Sequence, residues 1–245
     1  MSPAASLKPI TVWGFLAGPN PLKVLMILEE LGVPHEHKLI PTEELKGEAF
    51  LKINPNGRAP AIEDPNTGLT LWESGAIVEY LIEQYDKDCK FSYDTFTEKY
   101  LIKQWIAYQI SGQGPYYGQG VWFSLIHQEK IPSAIERYWK EAERVRSVLE
   151  LHLSRQAAKQ GKDAASKDIW LVGDKCTVAD LSWFIWEQII NLCMTTTGAA
   201  IEKGKYPHYD AWYARLEERP SAQHAIERRN AWLSTIQLSD LAASR

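Results

Sequence analysis

Apolar residues in the first third of the chain follow two alternating spacings. Residues 11–15 (TVWGF) form a short β-branched and aromatic run. Pro21 then opens a stretch whose apolar positions, Val24, Leu25, Ile27, Leu28 and Leu31, share one helical face, ended by Gly32 and Pro34. Residues 35–40 alternate as a half-buried strand does, and residues 48–53 read as a short helix. Residues 58–63 and 69–72 read as two strands of a hairpin around the turn DPNTG at 64–68. Residues 74–85 return to helical spacing through Ile77, Val78, Leu81, Ile82 and Tyr85. The order βαβα-ββα predicts a small α/β domain over residues 1–86.

After the polar stretch DKDCK at 86–90 the strand signals stop. Helical periodicity recurs over residues 96–110, 132–158, 178–192, 207–216 and 221–229, with Gly or Pro in the gaps, and residues 159–168 read as a solvated loop. An all-α domain is expected over 95–245. Thr177 and Asp180 stand three apart, as in a capping box, ahead of a run (LSWFIW, 181–186) that is apolar nearly all round and so belongs to a buried helix. Glycines at 112, 114, 118 and 120 do not form a dinucleotide loop: Pro115 interrupts them and they follow a helix instead of a strand. Aromatic rings crowd this bend, and Tyr108, Tyr116 and Trp122 are candidates for the apolar wall of a second-substrate pocket.

Composition narrows the class. With 245 residues, 45% of them hydrophobic and 24% charged, the chain suits two ordinary globular domains. Net charge is −4 with scattered Lys and Arg, which favours neither nucleic acid nor an anionic membrane as partner. The three cysteines (Cys89, Cys176, Cys193) show no metal-type spacing with the six histidines, so no metal is expected, and a reducing, cytoplasmic setting is. The start MSPAASLKP lacks a long apolar segment, and no apolar run is long enough to span a bilayer.

Two stretches carry candidate chemistry: NPNGRAPAI at 54–62 and LWESGAI at 71–77. Pro60, at an edge or after a cis bond, exposes the backbone of Ala59, which can pair with a peptide-like ligand as an added strand would. Ser74 stands first in a helix, where its hydroxyl and the free N–H groups suit a carboxylate. Glu73 beside it can hold an ammonium. Together these residues make a clamp for an α-amino-acid zwitterion next to a peptide-binding edge.

NPNGRAPAI, then WESGAI opening a helix, then an all-α domain, resembles the soluble glutathione transferase family. Its fold is a thioredoxin-like N-terminal domain followed by an all-helical C-terminal domain. WLVGDKCTVAD (170–180) resembles the entry into that family's buried helix. QISGQGPYYGQ (109–119) and IPSAIERY (131–138) resemble the bacterial nu class and its fungal relatives, the branch of the yeast nitrogen regulator. The resemblance implies that Glu73 and Ser74 hold the γ-glutamyl end of glutathione. It further implies that Ala59 binds the cysteinyl backbone before a cis Pro60, and that Lys46 and Arg58 reach toward the glycyl carboxylate. Leu45 departs from the His or Gln often found just before Lys46.

Most such enzymes place a Tyr, Ser or Cys after the first strand; here LAGPNPLKV (16–24) offers Asn20. A free thiol has a pKa of about 8.5 and the thiolate is the nucleophile, so the site has only to stabilise a charged sulfur. Lowering a pKa by about two units takes roughly 2.7 kcal/mol. An amide hydrogen bond to an ion supplies about 1.5–3 kcal/mol, and a helix start about 0.3–1. Asn20, with Pro21 as the expected first helical residue, can supply both. In the nu-like branch an asparagine within a Pro-Asn pair is associated with the thiolate, and Pro19-Asn20 matches it.

The resemblance implies a homodimeric, fungal-type detoxification enzyme that takes glutathione as co-substrate with a small hydrophobic electrophile or a disulfide. Disulfide reductase or peroxidase chemistry is expected at least as readily as conjugation. The alternative is a glutathione-binding regulatory protein with little turnover.

Overall fold

In the computed structural model, residues 6–235 are described except Ala17, Ala165, Lys167 and Ala200. Four strands, β1 (Ile10–Gly14), β2 (His35–Leu39), β3 (Ala61–Asp64) and β4 (Leu69–Trp72), form one sheet in the order β2-β1-β3-β4. β1 and β2 run parallel, and β3 is antiparallel to both β1 and β4. Helices α1 (Pro19–Leu31), α2 (Glu48–Leu51) and α3 (Ser74–Tyr85) complete a thioredoxin-like domain. α1 buries Leu22, Val24, Leu25, Met26, Ile27 and Leu28 and ends at Gly32, whose φ of 67° caps it in the left-handed conformation that glycine adopts freely.

The second domain is helical, with α4 (Phe96–Tyr108), α5 (Gly114–Val121), α6 (Pro132–Lys159), α7 (Val178–Thr196), α8 (Pro207–Glu217) and α9 (Pro220–Leu233). α7 runs through its centre: Val178, Ala179, Leu181, Trp183, Phe184 and Ile185 are all at most 2% exposed. That helix packs on α1 and joins the two domains into one core. At the far end of α1, Arg219 donates from Nε and Nη2 to the two oxygens of Glu30, both at 2.7 Å. The fork fixes α9 against α1.

Three expectations need correction. α1 begins at Pro19 instead of Pro21. β3 begins at Ala61 instead of residue 58; of the two placements open to Pro60 the cis bond is the one found, so the proline lies outside the ladder of a central strand. The glycine-rich bend continues the helical path: a π-helical turn (Gln109–Gln113) leads into α5, and a second (Trp122–Ile126) follows it. Extra residues in wide turns absorb the glycines without breaking the rod.

Candidate functional site

The first turn of α1 answers why an asparagine stands between two prolines. Gly18 is the N-cap and offers no side chain, and its N–H donates to Phe15 O at 3.3 Å. Pro19 and Pro21 have no N–H. Of the backbone donors that a helix start leaves unpaired, only that of Asn20 remains without a partner among the described residues. Pro21 fits closely because Gly14, at the end of β1, has no side chain: a Cβ there would lie 2.7 Å from the Pro21 ring.

The Asn20 side chain is held from the other domain. Trp186 on α7 donates from Nε1 to Asn20 Oδ1 at 3.1 Å. The indole is 9% exposed, and α5 lies against it: a Cβ on Gly114 or Gly118 would come within 3.7 or 3.5 Å of the ring. One turn beyond Asn20, Lys23 is 1% exposed and donates to Gln109 Oε1 at 2.8 Å. Burial pulls its pKa down to about 7, against the pull of Glu73, which favours the charged form. Gln109 donates to Gln113, which donates to Glu187; Tyr117, Tyr209 and Arg146 also donate to that carboxylate. A continuous buried hydrogen-bonded chain therefore runs from α1 into the helical core.

The residues of the expected clamp stand at the start of α3, a helix that packs on α1. Ser74 opens α3 and is 5% exposed, while Glu73 before it is exposed and sits at φ 67°, ψ 112°, an unusual conformation for a residue with a side chain. The NPNG turn below is built by Asn54, 1% exposed. Its Oδ1 accepts from Asn56 N–H at 2.9 Å, and its Nδ2 donates to Arg58 O at 2.5 Å. Gly57, at φ 59°, has no room for a Cβ, which would lie 2.8 Å from Leu45 O. Lys46 Nζ donates to Asn56 O at 2.8 Å, and Asn56 Nδ2 donates to Glu73 Oε1 at 3.4 Å. These bonds tie Lys46 to the clamp, while Arg58 projects exposed from the same turn. Leu45 is buried with Ile40, Phe50 and Ala61, so it turns away from any ligand.

The three ring candidates are more dispersed. Tyr108 is half-buried against Trp105 and Trp183, with centroids 6.1 and 5.2 Å away. Tyr116 is half-buried beside the core, and Trp122 is half-buried with His127 at 6.1 Å. A cavity of about 710 Å³ between α6, α7 and the segment before α8 contains none of the candidate residues; its rim carries the ion pairs Lys140–Glu136 and Lys205–Glu143. Its chemistry is that of a solvated charged crevice, so the candidate site stays at the α1–α3 junction. Among the described residues no group of His, Cys, Asp and Glu could hold a metal ion.

Trp186 and Lys23 escaped the sequence reading. The first acts across 166 positions of chain, and the second is a lysine, a residue type rarely buried. The one hint for Trp186 was its place in the apolar run 181–186.

Comparison with known proteins identifies the family. Residues 17–84 match the family model of the glutathione S-transferase N-terminal domain, and residues 127–229 that of the C-terminal domain. The glutathione S-transferase-like protein tpcF of Aspergillus fumigatus is 49% identical over 90% of this chain and 96% of its own. Protein URE2 of Debaryomyces hansenii is 33% identical over 88% of this chain and 77% of its own. The crystal structure of the glutathione transferase URE2P8 from Phanerochaete chrysosporium with oxidised glutathione superposes with a TM-score of 0.82 at 37% identity, covering 96% of this chain and 100% of that one. The chain belongs to the glutathione transferase family, among fungal relatives of the Ure2 type.

Proposed function

We propose that the protein is a glutathione-dependent enzyme that ionises the glutathione thiol beside Asn20 and uses it to reduce disulfides or hydroperoxides, or to attack electrophiles. One observation carries this reading: among the described residues the start of α1 leaves one backbone N–H without a partner, that of Asn20, and Nδ2 of its side-chain amide makes no hydrogen bond either. Two donors and a helix start then face one sulfur, in keeping with the roughly 2.7 kcal/mol that a two-unit pKa fall requires.

In this reading Glu73 holds the ammonium of the γ-glutamyl group and the start of α3 with Ser74 holds its carboxylate. Ala59, outside the strand ladder, pairs with the cysteinyl backbone, and the cis Pro60 sets its direction. Lys46 and Arg58 face the glycyl carboxylate, which the buried Leu45 cannot do. Tyr108, Tyr116 and Trp122 remain the candidates for the second-substrate wall.

Disulfide reduction balances without a protein thiol. The bound thiolate attacks one sulfur of the substrate, forms a mixed disulfide and expels the first substrate thiolate. A second glutathione thiolate attacks the glutathione sulfur of that intermediate, which releases the second substrate thiol and oxidised glutathione. Burial pushes the Cys176 thiol well up and Cys193 to about 11, so neither supplies the resolving thiolate. Oxidised glutathione in the URE2P8 structure is the product such a step would leave.

A homodimer in the cytoplasm belongs to the same proposal. In support, Phe96 and Tyr100 on α4 are 78% and 56% exposed with ring centroids 4.9 Å apart, an apolar face suited to a second copy. The likeness to URE2 favours a second reading, a glutathione-binding regulator without turnover. Turnover with a disulfide, a hydroperoxide and an aryl halide separates the two: tight glutathione binding with no turnover on any of them overturns the enzyme. Asn20→Ala is expected to raise the pKa of bound glutathione by about 1–2 units and lower the neutral-pH rate about tenfold or more. An unchanged pH profile removes Asn20 from the mechanism.

A further inference from the structure

A side-chain amide is nearly symmetric in shape, but its two ends are opposites to a thiolate. Nδ2 donates; Oδ1 would set a lone pair against the negative sulfur. Among the described residues no backbone hydrogen bond at the start of α1 selects one end of the Asn20 amide. The selection comes from the other domain. An indole N–H only donates, so the atom it holds at 3.1 Å must be the amide oxygen, and Nδ2 is left facing away from Trp186.

The indole cannot easily turn aside. It is 9% exposed, α5 lies against its ring at Gly114 and Gly118, and its neighbours on α7 are fixed as well. Trp183 Nε1 donates to Trp105 O at 3.1 Å, and Trp183 O accepts from Gln113 Nε2 at 3.1 Å. We propose that Trp186 is a positioning residue, turning the Asn20 amide so that Nδ2, and not Oδ1, faces the glutathione sulfur. The inference rests on the proposed role of Asn20 and adds a specific element to it: the helical domain orients the donor that the thioredoxin-like domain carries. The charged groups around this point are Lys23, tied to Gln109, and Glu73, which acts on Lys23; a change at Trp186 leaves both in place.

The test is Trp186→Phe, which keeps an aromatic ring and removes the N–H. Bound glutathione is titrated by its ultraviolet thiolate absorbance, glutathione affinity is measured by calorimetry, and kcat and KM are taken across pH. The expected result is a rise in the bound thiol pKa with a fall in neutral-pH kcat of about 3–10-fold, the size of one ordinary hydrogen bond, while glutathione affinity is unchanged at pH values below the bound thiol pKa, where the ligand is protonated, and falls in step with the shift above it. In an Asn20→Ala background the same substitution is expected to move neither quantity, because no amide is left to orient. An unmoved thiol pKa in Trp186→Phe, or an effect that persists in the Asn20→Ala background, overturns the proposal. If Asn20→Ala alone leaves the thiol pKa unmoved, the role of Asn20 fails with it; if Asn20→Ala raises it and Trp186→Phe does not, only the positioning role fails. Should Trp186→Phe not fold, benzothienylalanine at position 186, which keeps the bicyclic shape and replaces N–H by sulfur, gives the same readings.

Discussion

Two helices, α1 and α7, begin in opposite ways. α7 closes its own start: Asp180 Oδ2 accepts from Thr177 N–H and Oγ1, both at 2.9 Å, and Oδ1 accepts from Leu171 N–H at 2.9 Å and Trp212 Nε1 at 2.8 Å. α1 has a glycine N-cap, two prolines and an asparagine whose backbone N–H has no partner among the described residues. Both starts carry the same partial positive charge. In α7 it is answered inside the protein, and Asp180 and Thr177 are fully buried. In α1, under the proposed function, it is answered by the thiolate of the ligand. A helix start that satisfies itself contributes to stability, whereas one left open can serve a ligand.

The strongest way to break the contrast is Asp180→Ala. Four donors lose their acceptor in a dry interior, each at a cost of about 1–3 kcal/mol, for a total on the order of 4 kcal/mol or more. Burial already pushes the Asp180 carboxyl above its ordinary range, yet removing it exposes the larger cost of the donors it serves. Urea unfolding of the variant is expected to show this loss, while the titration of bound glutathione in the remaining folded protein stays where it was. A loss below about 1 kcal/mol, or a moved thiol, would mean that α7 opens no more independently of the site than α1 does.

How much of this was legible differs between the two starts. The α7 signal lies within four residues, Thr177 to Asp180, and local chemistry suffices to read it. At α1 the same rule, proline at the first helical position, fits Pro19 and Pro21 equally, because both rings fix φ near the helical value; the helix took the earlier one. The NPNG turn ahead of the cis Pro60 was readable because Asn54 builds it from neighbours two and four residues on. Trp186 and the link from Gln113 to Glu187 were not, since tertiary packing brings those partners together across 166 and 74 positions of chain. Glycines hid α5 for a related reason: packing against Trp139 and Trp186 outweighs their weak helix propensity.

Lys23 sharpens the comparison through pH. Its folded pKa of about 7 lies below the ordinary 10.5, so between these values the unfolded chain binds more protons than the folded one. Stability contributed by this group therefore rises with pH across that window, and the full burial penalty is present below about pH 7. Lys23→Met should flatten the rise between about pH 7 and 10 relative to the native chain and be no less stable at the acid end, where an apolar side chain replaces a buried charge. Urea midpoints across that range measure the difference. Parallel pH curves for the two proteins would show that Lys23 titrates normally and that α1 carries no buried charge cost.

Thr177→Ala is the smallest change and the cleanest test of separation. The hydroxyl and the methyl are both lost, but Asp180 keeps the Thr177 N–H, the Leu171 N–H and the Trp212 indole. The expected cost is about 1 kcal/mol, within the usual range for a lost N-terminal cap, or about 2–4 °C in Tm for a chain of this size. Thr177→Ser, which keeps the hydroxyl, should recover part of it. Because α7 also carries Trp186 nine residues on, a loosened start could in principle turn the indole and, through it, the Asn20 amide. The buried residues Leu181, Trp183 and Phe184 lie between and hold the helix on their own. Bound-thiol titration in Thr177→Ala is therefore expected to match the native curve, and a displaced curve would couple the closed helix start to the open one.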